Sequence, residues 1–269
     1  MRGPAFSSYP EPRVDWRSAR RLRFVGLALV VAAFYAASLD LAQIDLGRLA
    51  IGLPKLAYWA TKAWPPDFSE LDRLLLRAGE TVAMATLGTT FAAALAVPLC
   101  ILAARNTTPS RLLYGPTRWV LDALRGVDSF VFALIFVAAV GLGPFAGVLG
   151  IMLHTAGSTA KLWSEAIEAT TPEPLDAVRM TGASRLKIIS YALVPDVLPS
   201  LASIALYMWE FNVRSSTVLG VVGAGGIGQE LKNSMDLLLF PRLFAILIII
   251  IAMVTVIDQL SAWLRRRLV

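Results

Sequence analysis

KLWSEAIEATTPEPLDAVRMTGASRLKIISYALVP, from Lys161 to Pro195, is a polar stretch set between two apolar runs. Thr171-Pro172-Glu173-Pro174 sits near its middle, Asp176-Ala177-Val178 follows, and Gly182 comes four residues after Val178. Proline favours a first helical turn and blocks an interior one, while glycine closes helices by taking the left-handed conformation. The spacing therefore predicts two short helices around residues 171–174 and a compact helix-turn-helix that protrudes where the flanking segments end. A soluble partner has something to grip in such a knob. An ordinary solvated connector satisfies the same spacing, so both readings stand on these residues alone.

The flanking runs set the solvent. Of 269 residues, 57% are hydrophobic and only 16% charged, and the mean hydropathy is +0.65. That is more apolar surface than one soluble core hides, and the charges cluster between apolar runs instead of lining one face of each helix. Crossing a bilayer takes about 20 apolar residues. By that length we expect an all-α, polytopic membrane helical bundle of about six transmembrane helices: residues 24–39, 80–104, 118–142, 145–162, 188–211 and 241–263, with the knob in the loop 163–187. The third is expected to begin in water, with Asp122, Arg125 and Asp128 in its first turns, and Gly143-Pro144 separates it from the fourth.

Positive residues stay on the cytoplasmic side. With the N-terminus inside, that side holds 17 of the 25 Lys and Arg residues, so both termini are expected to be cytoplasmic and residues 1–23 to form a basic tail. Arg20 to Arg23, the apolar run after them and Ala36-Ala37-Ser38 mimic a cleavable signal peptide; an uncleaved first helix fits better, because six spans keep both basic ends inside. The loop from Asp40 to Gly79 carries apolar positions at helical spacing from Leu46 to Trp64, with Trp59 and Trp64 suited to lying along the outer membrane face.

Several chemistries are absent. The pI near 9.8 reflects basic residues beside membrane segments, and no basic face interleaved with aromatics supports nucleic-acid binding. Cys100 is the only cysteine, and no His or carboxylate cluster suggests a metal. No nucleophile has a base at readable spacing, so an enzyme is not expected. Gly223-Ala-Gly225-Gly226-Ile-Gly228 fits the dinucleotide fingerprint but lies between hydrophobic helices, without the βαβ unit that gives the fingerprint meaning. No G-x-x-x-x-G-K-[ST] loop is present, so ATP and Mg belong to another subunit and no cofactor is expected in this chain.

Asp176-Ala177-Val178, three residues, Gly182, nine residues, then Ala192-Leu193-Val194-Pro195 resembles the EAA loop of ABC-importer permeases, whose pattern is EAA, three, G, nine, I-x-L-P; Asp stands for Glu at 176 and Ala for Ile at 192. The resemblance extends to the PhnE-like, phosphonate-type permeases through PPDFS (65–69), VAAVGLGPFAGVLG (137–150), SEAIEA (164–169), NVRSSTVLGVVGAGGIG (212–228) and the basic tail. It implies a MetI-like permease fold in a bacterial inner membrane, importing phosphonate, phosphite or phosphate. It implies as partners a cytoplasmic ATPase dimer, a periplasmic or lipid-anchored substrate-binding protein, and a second permease copy or close relative. In that family the loop is the coupling helix held in a cleft of the ATPase, which places Glu173, Asp176, Ala177, Val178, Gly182 and Arg185 at the coupling site here. An importer of another small solute is the nearest alternative; an ion-coupled secondary transporter would need inverted repeats and midplane carboxylates, which are not found.

Ionisable groups at membrane depth are costly and usually face a protein interior or a water-filled path. Glu210 and Arg214, four residues apart on one helix face, either pair to fix the helix end or offer, with Ser215, Ser216 and Thr217, a polar surface to a passing oxyanion. His154 and Thr155 are either hydrogen-bonded packing residues or part of that path. Val218 to Gly228, with Gly223, Gly225, Gly226 and Gly228, reads as a re-entrant gate loop whose free amides face an anion, or as a tight outer loop. Asp128 and Asp258 lie nearer helix ends and are expected to be structural or interfacial.

Overall fold

The computed structural model describes residues 19–268, and they are helical with no strand among them. Arg2, Arg13 and Arg17 of the expected basic tail and the Pro-rich first dozen residues lie outside the described residues. The chain divides into two units, residues 1–58 and 59–269.

The first unit contains α1 (Ala19–Leu41) and most of α2 (Leu46–Lys62). Within α1, Arg23–Leu41 has a mean hydropathy of 2.0 and none of it is covered by protein. Such a helix is stable only where lipid or another chain supplies the cover. Asp45 starts α2 by accepting from the Gly47 and Arg48 amides at 2.8 and 3.1 Å, which fulfils the helical reading of residues 46–64.

The second unit follows as α3 (Leu71–Ala103), α4 (Arg111–Gly126), α5 (Ser129–Val140), α6 (Pro144–Glu168), α7 (Pro172–Met180), the short α8 (Arg185–Ile188), α9 (Val194–Leu219), α10 (Gly226–Asp236) and α11 (Phe240–Leu268). A π-turn, Ile189–Leu193, joins α8 to α9, and a second, Gly220–Ala224, follows α9. Four segments are long and apolar enough to cross a membrane: Arg23–Leu41, Leu71–Ala103, Ile189–Ala224 and Phe240–Arg267.

Two expected spans differ. Residues 118–142 do not form one helix: α4 and α5 meet at a bend of 83°. Asp128 causes the break, because its carboxylate accepts from the Phe130 amide at 2.8 Å and so caps a new helix. Counted together, the bent pair makes a fifth apolar crossing. The segment read as the fourth span lies in α6, which runs on to Glu168 and lacks a continuous apolar window because its faces meet protein instead of lipid. Ala146, Gly147, Gly150, Ala156, Gly157, Ser158, Thr159 and Ala160 are all buried in it. A Cβ on Gly150 would stand 2.8 Å from the Ala133 nitrogen, and one on Gly157 2.9 Å from the Arg125 nitrogen. Small residues thus draw α4 and α5 into backbone contact with α6, the packing by which membrane helices gain attraction without a hydrophobic drive.

The largest core lies towards the α7 end: Ala96, Cys100, Ala103, Leu121, Ala160, Trp163, Ile167, Leu193 and Val197. Trp163 donates its indole N–H to the Leu201 carbonyl at 3.0 Å, so its one polar atom is satisfied inside that core. At the other end Leu74 and Ala78 of α3 pack with Ile227 of α10 and Ile246 and Ile249 of α11. Outward on α11, Ile251 and Val256 are 65% and 61% exposed, the face such a helix turns to lipid.

Candidate functional site

The predicted knob is a nine-residue helix, α7, entered through extended Thr171 with Pro172 and Pro174 in its first turn. Its end is closed by Gly182, whose φ of +77° is the left-handed conformation glycine takes without strain. The Gly182 amide donates to the Arg179 carbonyl at 3.0 Å and that of Thr181 to Val178 at 3.2 Å. Leu175 and Val178 are its partly covered residues, three apart on one face, and Leu175 packs against the large core. Glu173, Asp176 and Ala177 are exposed, and Met180 is 89% exposed. A short helix tethered by one apolar edge and naked elsewhere presents a rigid, protruding surface. Asp176 and Arg179 pair at 2.8 Å across it, both more than half exposed, so the pair shapes the surface more than it stabilises the helix. Gly182 and the Arg185 backbone, which starts α8, lie just beyond.

An ion network that sequence reasoning did not assign fixes the base of this knob. Glu168, the last residue of α6, accepts from the Arg105 amide at 2.8 Å and pairs with Arg118 of α4 at 3.0 Å. Arg118 also donates to the Ala103 carbonyl at 3.1 Å and lies over the Tyr114 ring, 4.9 Å from its centroid. One carboxylate thereby joins the ends of α3 and α6 to the middle of α4. Asn106 adds a bond to the Ile167 carbonyl at 2.7 Å. The available signal was an acidic residue closing an apolar helix within SEAIEA.

The predicted path residues divide into two groups. Glu210 and Arg214 do pair, at 2.6 Å, and Arg265 of α11 holds the other carboxylate oxygen at 3.1 Å. Glu210 is nearly enclosed, at 12% exposed, whereas Arg214 is 47% exposed. Arg214 can therefore leave for another anion while Arg265 keeps the Glu210 charge neutralised. Arg214 is not at a helix end, since α9 continues to Leu219. Thr217 bonds back to the Arg214 carbonyl at 2.7 Å, and Ser215 lies beside it, partly covered.

Thr155 and Ser216 are fully buried and face no path in this conformation. They belong to a junction centred on Asn212, which had not been singled out: Asn212 donates to Thr89 at 2.8 Å and accepts from Thr155 at 3.1 Å, and the Ser216 hydroxyl bonds to its carbonyl at 2.7 Å. Thr89 passes the chain on to the Ala85 carbonyl at 2.7 Å. Three helices, α3, α6 and α9, are cross-linked there by polar groups that water does not reach. Asn212→Ala removes the acceptor of the Thr155 hydroxyl and opens a void, and it is expected to destabilise the fold by about 1–3 kcal/mol, measured as a lower melting temperature in detergent.

His154 is partly covered, and its Nδ1 lies 2.9 Å from the Val127 carbonyl at the α4–α5 bend. A carbonyl only accepts, so Nδ1 carries the proton in that contact.

Val218 to Gly228 is not an open loop. After α9 and its π-turn the chain reverses at Gly223 and Gly225 and enters α10 at once. Gly225, Gly226 and Gly228 are buried. The Ile227 amide donates to Thr81 at 2.9 Å and the Gly143 amide to the Gly223 carbonyl at 2.9 Å. The Ile227 amide is thus turned into protein by Thr81 of α3, and the start of α6 packs against the segment through the Gly223 carbonyl. Next to this segment Glu230, only 5% exposed, gathers Arg73 at 3.2 Å, Arg77 at 3.7 Å and Arg242 at 3.0 Å, an ionic clasp around one buried carboxylate among α3, α10 and α11.

Residues 96–269 match the family model described as binding-protein-dependent transport system inner membrane component. HtxC of Stutzerimonas stutzeri, assigned by name to a phosphite transport system, is 51% identical over 247 residues, covering 92% of this chain and 88% of that one. The chain belongs to this family of inner membrane transport components. The phosphite transport system permease protein PtxC of the same organism is 40% identical over 251 residues, covering 93% and 90%. The phosphate-import permease protein PhnE of Mycolicibacterium smegmatis is 39% identical over 252 residues, 93% of this chain but 47% of that longer one. The fold is that of a solved inward-facing MetNI methionine ABC transporter, with a TM-score of 0.66 at 20% identity over 76% of this chain and 99% of that one. These relatives are transport permeases, not enzymes. The family match takes in α7, Asn212 with Thr155 and Ser216, and the Arg214 pair, while most of α3, Thr89 included, precedes it.

Proposed function

We propose that this chain is the membrane permease subunit of an ATP-driven importer that moves phosphite, or a related phosphonate or phosphate oxyanion, into the cytoplasm. The observation that carries the substrate class is the identity of 51% and 40% to two permeases named for phosphite, each over more than nine-tenths of the chain. The coupling half of the reading is supported by α7, a stiff and exposed helix seated on the large core through Leu175. In this reading a cytoplasmic ATPase dimer grips α7, a substrate-binding protein delivers the anion to the opposite face, and a second permease copy completes the path. Six spans, with α6 and the bent α4–α5 pair each counted as one, leave both termini and α7 in the cytoplasm.

The mechanism is a shift between two global states, each favoured by a different ligand. Movement imposed on α7 reaches the helices through the large core and, through Glu168, the ends of α3 and α6 and the middle of α4. Within the path, Arg214 exchanges Glu210 for substrate oxygens and returns, a weak and reversible hold suited to transport. Arg214→Ala is expected to lower ATP-driven phosphite uptake by about tenfold, the factor expected from losing a charge-assisted hydrogen bond worth about 1.5 kcal/mol. The measurement is uptake into proteoliposomes holding permease, ATPase and binding protein. Undiminished uptake by Arg214→Ala would remove Arg214 from the path.

A further inference from the structure

A cavity of about 200 Å³ opens between α4, α6 and α9, lined by Arg125, His154, Ser158, Tyr207 and Phe211 among others. Nothing described so far uses it. Arg125 makes no ion pair or hydrogen bond with any described residue, and the neighbouring carboxylate, Asp122, is already held by Lys161 at 2.8 Å. Asp122 feels the Arg125 charge through space without a contact, and a guanidinium with no direct partner within a membrane bundle is costly unless it faces water or a ligand. His154 donates Nδ1–H to the Val127 carbonyl, which leaves its other ring nitrogen as an acceptor for a P–OH proton of a monoprotonated anion. The Tyr207 and Ser158 hydroxyls complete a wall with donors on three helices, and a liquid water occupies about 30 Å³, so a small tetrahedral anion fits with water around it.

The cavity also shares a face with Arg214. Tyr207, Phe211 and Arg214 stand at i, i+4 and i+7 on α9, and all three are exposed. At 1.5 Å rise per residue, Tyr207 and Arg214 are roughly 10 Å apart along the helix.

We propose that Arg125, His154, Ser158 and Tyr207 form a second oxyanion station on the translocation path, one to two turns inward of Arg214, and that substrate passes from one guanidinium to the other across Phe211. The inference rests on the oxyanion-importer reading and deepens it. Two weak stations in series move an anion with no single site tight enough to trap it. A guanidinium at each suits paired substrate oxygens, and the aromatic ring between them keeps the two from merging into one tight site.

The test uses the whole reconstituted transporter, with ATPase and binding protein, and compares wild type, Arg125→Gln, Arg125→Lys and Tyr207→Phe. Phosphite uptake and ATP hydrolysis are measured on the same vesicles. Arg125→Gln is expected to lower uptake per ATP hydrolysed at least tenfold, with Arg125→Lys restoring a substantial part of it and Tyr207→Phe falling between. Unchanged uptake per ATP in Arg125→Gln overturns the station. A parallel loss of uptake and hydrolysis, or failure of Arg125→Gln to co-purify with the ATPase, overturns it in favour of a structural role. Wild-type vesicles that accumulate neither phosphite nor methylphosphonate would refute the oxyanion reading itself, and the station with it.

Discussion

Gly182→Pro is expected to abolish co-purification of the permease with its ATPase and to reduce ATP-driven uptake to background, while the membrane bundle still assembles. The native φ of +77° at this position is closed to proline, whose ring fixes φ near −65°. Proline also removes the amide that bonds to the Arg179 carbonyl at 3.0 Å, so the end of α7 unwinds and its exposed face is re-aimed. A graded control separates this from a general intolerance. No atom lies within 4 Å of a Cβ built on Gly182, so Gly182→Ala meets only the left-handed conformational cost of about 1–2 kcal/mol. Gly182→Asn meets less. Both are expected to retain the ATPase, Asn more fully than Ala. Equal retention by Pro and Ala would show that the shape of this turn is irrelevant to docking.

Gly228→Val is the substitution expected to damage the bundle itself. A Cβ at Gly228 runs into backbone, the Thr217 carbonyl, and Gly220 opposite is also confined, with a Cβ there 2.7 Å from the Gly228 Cα. Side chains can rotate away from a clash, but a carbonyl within a helix moves only if the helix does. Overpacking of a well-filled core costs about 1–3 kcal/mol and occasionally more; here the displaced element is the α9–α10 turn, buttressed by Thr81 and Gly143, so the upper end or beyond is expected. The predicted outcome is a loss of monodisperse protein on size-exclusion chromatography, with Gly228→Ala intermediate in melting temperature. A Gly228→Val protein as stable as wild type would mean that this turn is loosely packed and free to open.

How much of this was legible in the sequence depended on whether the deciding physics was local. The knob was readable because prolines and a glycine act on their own neighbourhood: Pro172 opens α7 and Gly182 closes it. Glu210 and Arg214 were readable as a pair because four residues bring side chains together on any helix. The bend at Val127-Asp128 was hidden, since an aspartate inside an apolar pattern looks like a water-exposed first turn until its carboxylate is seen capping Phe130. Asn212 was hidden because its importance lies in Thr89 and Thr155, 123 and 57 residues away. Arg265 seemed only part of a basic tail, although it supplies the second cation to Glu210. The glycine run was legible as unusual backbone, but that the Ile227 amide turns into protein was decided by Thr81 on α3, far earlier in the chain.

The sidedness of α7 tests the account most directly. Ala177 is exposed on that helix, and the native Cys100 is buried, so a cysteine placed at Ala177 is the one expected to react with a membrane-impermeant maleimide. The account predicts labelling of Ala177→Cys in inside-out vesicles and none in intact cells or right-side-out vesicles, with added ATPase protecting the site. Labelling from the outside would place α7 where no cytoplasmic motor reaches it, and would contradict the coupling of ATP hydrolysis to transport through this helix.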